Sequence, residues 1–434
     1  MNFTLITPGA GGMYCGGCFR DNALVAALRK LGHPTTMVPL YLPLTLDEPD
    51  QSAGTPIFFS GVNVYLEQKS ALFRHAPDWL HHWLASPRLL KWAGRFAGQT
   101  RAADVGDITL SMLRGEHGHQ ARELDELTAW LRTQPRPEVI ALSNVLLTGM
   151  ARRLKAELGA PVVGMLQGED TFLDALPKSV RAQAWEILIE RARDIDLFIA
   201  PSRYFADLMR ERLQLPADRV KVVWNGINLE GYTDVEGAQN PPVLGYFTRM
   251  CREKGLDTLV EAYLLLKQRP DTATLRLHVG GGRGPSDENF LGQIGQRLKD
   301  AGVYDDVAFY PNVSREEKLE FFRRLTVFSS PALYGEAFGL YVIEAMAAGV
   351  PVVQPRHAAF PELIDATGGG LLVEPGDAKA LADGIGNLVA HPRDARFLGK
   401  RGQQAVREKF TAARMAGDVA RLFGEVAGRP NPPA

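Results

Sequence analysis

The chain has 434 residues, 45% of them hydrophobic, which is too long for one ordinary core and suits two packed domains. With 49 basic against 50 acidic residues the formal net charge is -1, so no global field recruits nucleic acid or an anionic membrane, and a charged substrate must be met locally. No apolar run reaches bilayer-spanning length and the opening MNFTLITPGAGG lacks a signal peptide's basic flank and apolar stretch, so a cytoplasmic location with at most peripheral membrane contact is expected.

Short β-branched runs alternate with longer amphipathic ones, the pattern of parallel sheets covered by helices on both faces, and two such sheets follow one another. The first opens with a strand at 3–7, then the glycine loop Pro8-Gly9-Ala10-Gly11-Gly12. A helix at 22–31 follows, with Leu24, Val25, Leu28 and Leu31 at helical spacing and Gly32 as its stop. Cys15-Gly-Gly-Cys18 lies between loop and helix. It reads as small residues in a tight glycine loop, against a redox pair or half a zinc site, and the odd total of three cysteines excludes a disulfide framework. The glycine loop is not a dinucleotide fingerprint, because Tyr14 stands where a glycine is required and no acidic residue ends the second strand.

Residues 50–135 break the rhythm with a mostly helical pattern carrying Trp79, His81, His82, Trp83 and Trp92. This insertion reads as a helical cap with its own small core or, in competition, as an acceptor-binding element. His75, His81, His82, His117 and His119 lack any fixed ligand spacing, and no metal is expected there. Beyond it come a strand at 139–142, a helix at 145–158 closed by Gly159, and strands at 162–166 and 197–200.

The second sheet starts after the turn Asn225-Gly226 and a linker at 231–242, with strands at 243–247, 275–279, 307–310, 327–329, 352–353 and 371–373. A last periodic segment at 394–426 is charged and helical. The expected organisation is a Rossmann-like domain over 1–228 with the insertion, a second one over 229–410, and a final helical segment at 411–434, with the two α/β domains facing across a cleft.

Ligands of open α/β sheets bind beyond the C-terminal ends of strands. Thr248-Arg249 follows the strand at 243–247, and Arg252, Lys254 and Gly255 then open a helix. Arg249 and Lys254, five residues apart, suit a clamp for a diphosphate, against an ordinary solvated basic face, which is the stronger reading of this segment taken alone. The run Tyr334-Gly-Glu336-Ala-Phe-Gly-Leu340-Tyr-Val-Ile-Glu344 places a helix start at Gly339 and Leu340, whose backbone N–H groups and dipole take phosphate. Glu344, a turn inside, suits the hydroxyls of a ribose, and Glu336, ahead of the helix, brings a second carboxylate within reach of the same ligand. Glutamates at such positions also serve as simple capping charges.

These residues together resemble the retaining glycosyltransferases of family 4, which have the GT-B fold. The likeness rests on Gly11-Gly12, Ala200-Pro201-Ser202, Val222-Val-Trp-Asn225-Gly226-Ile-Asn228, Arg249 to Lys254, Glu336 to Gly349, Pro351-Val-Val and Gly370-Leu-Leu-Val-Glu-Pro-Gly376. The resemblance implies that Arg249 and Lys254 bind donor phosphates, Glu344 the donor ribose, Glu336 the donor sugar and Gly12 the pyrophosphate side, and that the last helix crosses back onto the N-terminal domain. Gln167 departs from the histidine that many members carry at that place. It offers a hydrogen bond but no titration near neutrality, so Gln167, Glu169 and Asp170 are candidate sugar or acceptor contacts, with helix capping by Asp170 as the competing role.

The expected reaction is metal-independent front-face transfer of a hexose-type sugar, with retention, from a nucleotide sugar to a carbohydrate or lipid-linked glycan or a small acceptor. It needs no cofactor beyond the co-substrate. A non-catalytic nucleotide-sugar binding module and an epimerase of the same fold are the alternatives. A phosphorylase lacks a lysine suited to pyridoxal phosphate, and an oxidoreductase lacks its fingerprint.

Overall fold

The computed structural model describes residues 1–9, 15–59, 64, 66, 102–233 and 239–428. The chain divides into two compact units, one formed by Met1–Trp224 with Ala412–Ala434, the other by Asn225–Thr411. Gly11, Gly12, His75, Trp79, His81, His82, Trp83 and Trp92 lie outside the described residues, as does part of the linker.

In the first unit β1 (Phe3–Thr7) is followed by α1 (Gly16–Lys30), β2 (Thr35–Pro39), α2 (Ala102–Arg114) and α3 (Ala121–Thr133). Then come β3 (Val139–Leu142), α4 (Ala151–Leu158), β4 (Val162–Met165), α5 (Glu169–Asp174), α6 (Lys178–Arg191), β5 (Leu197–Ala200), α7 (Arg203–Arg212) and β6 (Val220–Val222). All pairings are parallel, in the order β2-β1-β3-β4-β5-β6. The central strands are buried from end to end, which is why they read as continuous apolar runs rather than alternating ones.

In the second unit the order along the chain is β7 (Val243–Phe247), α8 (Leu256–Lys267), β8 (Arg276–Gly281), α9 (Glu288–Asp300), β9 (Val307–Pro311), α10 (Arg315–Arg323) and β10 (Val327–Phe328). It continues with α11 (Leu340–Ala347), β11 (Val352–Pro355), α12 (Phe360–Thr367), β12 (Gly370–Val373), α13 (Ala378–Ala390) and α14 (Pro392–Lys409). This sheet is also wholly parallel, ordered β12-β11-β10-β7-β8-β9. Both units are therefore doubly wound, Rossmann-like α/β folds. The final helix, α15 (Ala412–Ala427), belongs to the first unit, where Met415, Val419, Leu422 and Phe423 pack with Phe3, Leu5, Val25 and Leu28 in one core. Phe423 meets Phe3 edge-on at 4.9 Å.

The structure corrects several sequence-based boundaries. The helix expected at 145–158 is a 3-10 turn over Val145–Met150, capped by Asn144 Oδ1 accepting the Leu146 N–H at 3.0 Å, and only then α4. The segment at 394–426 is two helices, α14 and α15, because buried Phe410 leaves helical geometry and its carbonyl accepts the Ile227 N–H at 2.9 Å. The helix α1 begins at Gly16, six residues earlier than the apolar spacing suggested, and Leu31 lies outside its buried stripe at 48% exposure. The short edge strand β6 was not foreseen. None of the described helices is long and apolar enough to cross a membrane.

Candidate functional site

An open sheet presents a crevice where strand order reverses, because neighbouring strands there send their connections to opposite faces. In the second sheet that point lies between β7 and β10. The loop leaving β7 carries Arg249 and Lys254, and the loop leaving β10 carries Glu336.

Arg249 is anchored through its backbone by the Tyr246 hydroxyl, which donates to its carbonyl at 2.8 Å. Its guanidinium donates to Asp287 Oδ1 at 3.0 Å and to Ser286 Oγ at 3.1 Å, while the side chain stays 50% exposed. Burial works against the charge, but the Asp287 carboxylate outweighs it and holds Arg249 protonated more firmly than usual. Asp287 is itself buried, and its other oxygen accepts the Gly284 N–H at 2.9 Å, which fixes the loop after β8. That loop is stitched to the one after β9: Asn312 accepts the Arg283 N–H and donates to the Arg283 carbonyl, both at 2.9 Å.

Lys254 ends a 3-10 turn that Gly255 closes at φ 77°, in the left-handed region. A Cβ on Gly255 would fall 1.9 Å from the Pro331 carbonyl oxygen, so the turn is pressed onto the loop after β10. The Lys254 ammonium donates to Glu336 Oε2 at 2.6 Å and stands over the rings of Tyr334 and Tyr341 at 4.8 and 5.3 Å. The same Glu336 oxygen accepts both tyrosine hydroxyls, at 3.1 and 2.8 Å. Burial raises the Glu336 carboxyl, yet the Lys254 charge and these hydrogen bonds prevail and hold it below the usual carboxylate range. Burial and the adjoining carboxylate push both tyrosines well above their ordinary value, so their hydroxyls remain donors.

Lys254 and Glu336, assigned separately in sequence to phosphate and to sugar, thus form one ion pair in which the carboxylate is buried and the ammonium partly so. Glu344, a turn into α11, accepts from Lys318 Nζ at 2.8 Å and from the Tyr232 hydroxyl at 3.2 Å. Gly339 caps α11 at φ 93°, ahead of Leu340. Sequence reasoning missed Asp287, Lys318, Tyr232, Tyr334 and Tyr341. The two last flank Glu336 within the quoted motif, whereas nothing in the local pattern marks Lys318, on the amphipathic α10.

The first sheet reverses between β1 and β3. Asp21, fully buried, spans that point: Oδ2 accepts Thr7 Oγ1 at 2.8 Å and Ser143 Oγ at 2.5 Å, and Arg20 Nε lies 2.9 Å from Oδ1. Burial raises the Asp21 carboxyl despite the opposing Arg20 charge and these hydroxyls. Gln167 Nε2 donates to the Ser143 carbonyl at 2.5 Å and to its hydroxyl at 3.0 Å, so its amide orientation is fixed by this network.

Glu169 accepts three backbone N–H groups, from Gln167 at 2.8 Å, Gly168 at 3.0 Å and Val145 at 3.1 Å. Burial nevertheless pushes its carboxyl up to about 7, with those bonds pulling the other way. Gly168, at φ 105°, and not Asp170, stands at the N-cap of α5. Asp170 occupies the first turn, where burial raises its carboxyl and the Arg212 charge only partly opposes that.

Two wholly parallel six-stranded sheets, each with polar clusters at its reversal point, define a protein of twin Rossmann-like units, the GT-B architecture. The model of the glycosyl transferases group 1 matches residues 233–405 and that of glycosyltransferase family 4 matches residues 104–230. The chain belongs to the family 4 type of glycosyltransferase.

Among similar curated proteins are a mannosylfructose-phosphate synthase of Agrobacterium fabrum, 27% identical over 55% of this chain and 54% of that one, and a D-inositol 3-phosphate glycosyltransferase of Streptomyces scabiei, 29% identical over 61% and 63%. The match thus spans less than two thirds of either relative. In fold the chain resembles a sucrose-phosphate synthase of Thermosynechococcus elongatus, with TM-score 0.71, 19% identity and coverage of 98% and 99% of the two chains. It also resembles the Anabaena protein HepE in complex with UDP-glucose, with TM-score 0.67, 15% identity and coverage of 98% and 99%.

Proposed function

We propose that the chain transfers a hexose-type sugar, with retention and without a metal ion, from a nucleotide diphosphate sugar to a hydroxyl of a glycan, lipid-linked or small polyol acceptor. The observation that carries this reading is that the Lys254–Glu336 ion pair and the anchored Arg249 both stand on loops leaving the strands at the reversal point of the second sheet. A departing diphosphate builds negative charge at its bridging oxygen, and the groups suited to stabilise it are Arg249, Lys254 and the N-terminus of α11 at Gly339 and Leu340. Glu336 holds the Lys254 ammonium in place until phosphate oxygens compete for it.

The remaining steps follow from that charge distribution. The acceptor hydroxyl attacks on the face the diphosphate leaves, and a phosphate oxygen takes its proton, so no separate base is required. Glu344, oriented by Lys318 and Tyr232, suits the paired hydroxyls of a ribose. We assign the acceptor to the turn at Gln167, Glu169 and Asp170 in the first unit. Relatives named for inositol phosphate and for a mannosylfructose phosphate support a polyhydroxylated acceptor.

The test is calorimetric and thermal-shift binding of UDP, GDP, ADP and TDP with their sugars to wild type, Lys254→Ala and Glu344→Ala. We expect selection of one diphosphate and at least about tenfold weaker binding in both variants, as for loss of a charge-assisted contact. Failure of every nucleotide to bind wild type would falsify the reading. With the donor known, turnover should survive EDTA and give the donor's anomeric configuration by NMR.

A further inference from the structure

The segment Cys15-Gly-Gly-Cys18 sits at the reversal point of the first sheet, on the connection from β1 into α1. Cys15 is the N-cap of that helix, in extended conformation at φ -119° and ψ 118°, and Cys18 is its third residue. A side chain in that capping position reaches back over the third residue of the helix, which is how Ser and Asp caps find their N–H partners. Here both positions carry sulfur, so the two thiols meet on one side of the first turn.

The three cysteines differ sharply in setting. The Cys18 thiol hydrogen-bonds to Cys15 and, with the backbone N–H groups of Cys18 and Gly17, lowers the Cys15 thiol to about 7 against burial and the Asp21 charge. Cys15 is half-buried and Cys18 is buried, the usual division between an attacking and a resolving sulfur. Cys251, in the second unit, is buried and pushed up to about 11, chiefly by that burial. The glycine spacer is pinned as well: a Cβ on Gly17 would fall 2.5 Å from Gln167 Oε1.

We propose that Cys15 and Cys18 form a redox-active dithiol, a modification site that closes to a disulfide across the first turn of α1 when met by a small-molecule disulfide such as oxidised glutathione. The Cys15 thiolate attacks one sulfur of the oxidant and expels one thiolate, leaving a mixed disulfide. Cys18 then gives its proton to solvent and attacks the Cys15 sulfur, expelling the second thiolate. The protein dithiol loses two electrons and the glutathione disulfide gains them as two thiols. Because the spacer lies against Gln167, the bridge forms directly beside the amide fixed to Ser143.

The experiment reads sulfur chemistry alone and does not depend on the transferase assignment. The intact chain is equilibrated in buffers of graded reduced-to-oxidised glutathione ratio, quenched with acid, alkylated and mapped by mass spectrometry. We expect the mass loss of two hydrogen atoms on the peptide holding residues 15 and 18, reversed by dithiothreitol, while Cys251 stays alkylatable. In the reduced folded protein at pH 7, Cys15 should alkylate at least about tenfold faster than Cys251. Cys18→Ser should trap a glutathione adduct on Cys15, and if that variant does not fold the wild-type mapping decides alone. A lasting glutathione adduct on wild-type Cys15, no oxidation at any ratio, or equal alkylation of Cys15 and Cys251 overturns the proposal.

Discussion

Lys254 spends its charge on Glu336 inside a cage of two tyrosines, and that shapes what its removal does. Lys254→Ala strands a buried carboxylate, so part of its effect is on stability, about 3–5 kcal/mol by analogy with broken buried pairs. Replacing both partners, Lys254→Met with Glu336→Gln, should recover most of that stability in urea titrations without restoring nucleotide binding. Recovery of both together would argue against phosphate contact by Lys254.

Glu169 makes a different prediction. Its folded carboxyl, pushed up to about 7 from an ordinary 4.5, ionises later than in the unfolded chain. The stability associated with the neutral form is therefore full below about pH 4.5 and lost as pH rises to about 7, by up to roughly 3 kcal/mol. Glu169→Gln mimics the neutral acid, so relative to wild type it should gain stability across that window. A difference constant from pH 4 to 8 in urea unfolding would refute this. At this scale the charged groups were legible because they follow strands, but their partners were not. Lys318 is 26 residues from Glu344 and Asp287 is 38 from Arg249, distances no local pattern bridges.

Among the elements, the decisive fact is that β10 lies next to β7. Apolar runs declare that strands exist, and a parallel sheet follows from the helices between them. The order of strands depends on which crossovers pack on which face, which no single run encodes. The same limit explains the 3-10 turn before α4, where a continuous apolar period hid the Asn144 cap. Gly255 is the element-scale contact of the site, since its missing Cβ lets the Lys254 turn approach the Pro331 carbonyl. Gly255→Ala combines an unfavourable positive φ with a backbone clash, and should destabilise the second unit by at least about 1–3 kcal/mol. It should also weaken nucleotide binding although it removes no polar group. Chemical denaturation and calorimetry on the same preparation would show both effects, and unchanged values in either would contradict the coupling.

At the scale of the whole molecule, α15 supplies Met415, Val419, Leu422, Phe423 and Val426 to the core of the first unit. At about 1.5–3 kcal/mol for each large apolar side chain, their burial is on the order of 10 kcal/mol as an upper bound, comparable to the entire stability of a domain. Removal of residues 412–434 should therefore abolish cooperative unfolding of the first unit while the second keeps its protection in hydrogen exchange. Uniform protection of both units after truncation would contradict that.

The same arrangement sets an order of events during synthesis. The second unit lies wholly between the two pieces of the first, so its sheet has every strand it needs while the last 23 residues, Ala412–Ala434, are still to be translated. The amino-terminal sheet emerges first yet waits, with Phe3, Leu5, Val25 and Leu28 lacking their cover, until the final helix leaves the ribosome. The nested unit can therefore close before the unit that encloses it in sequence, whose apolar face stays open in the interval.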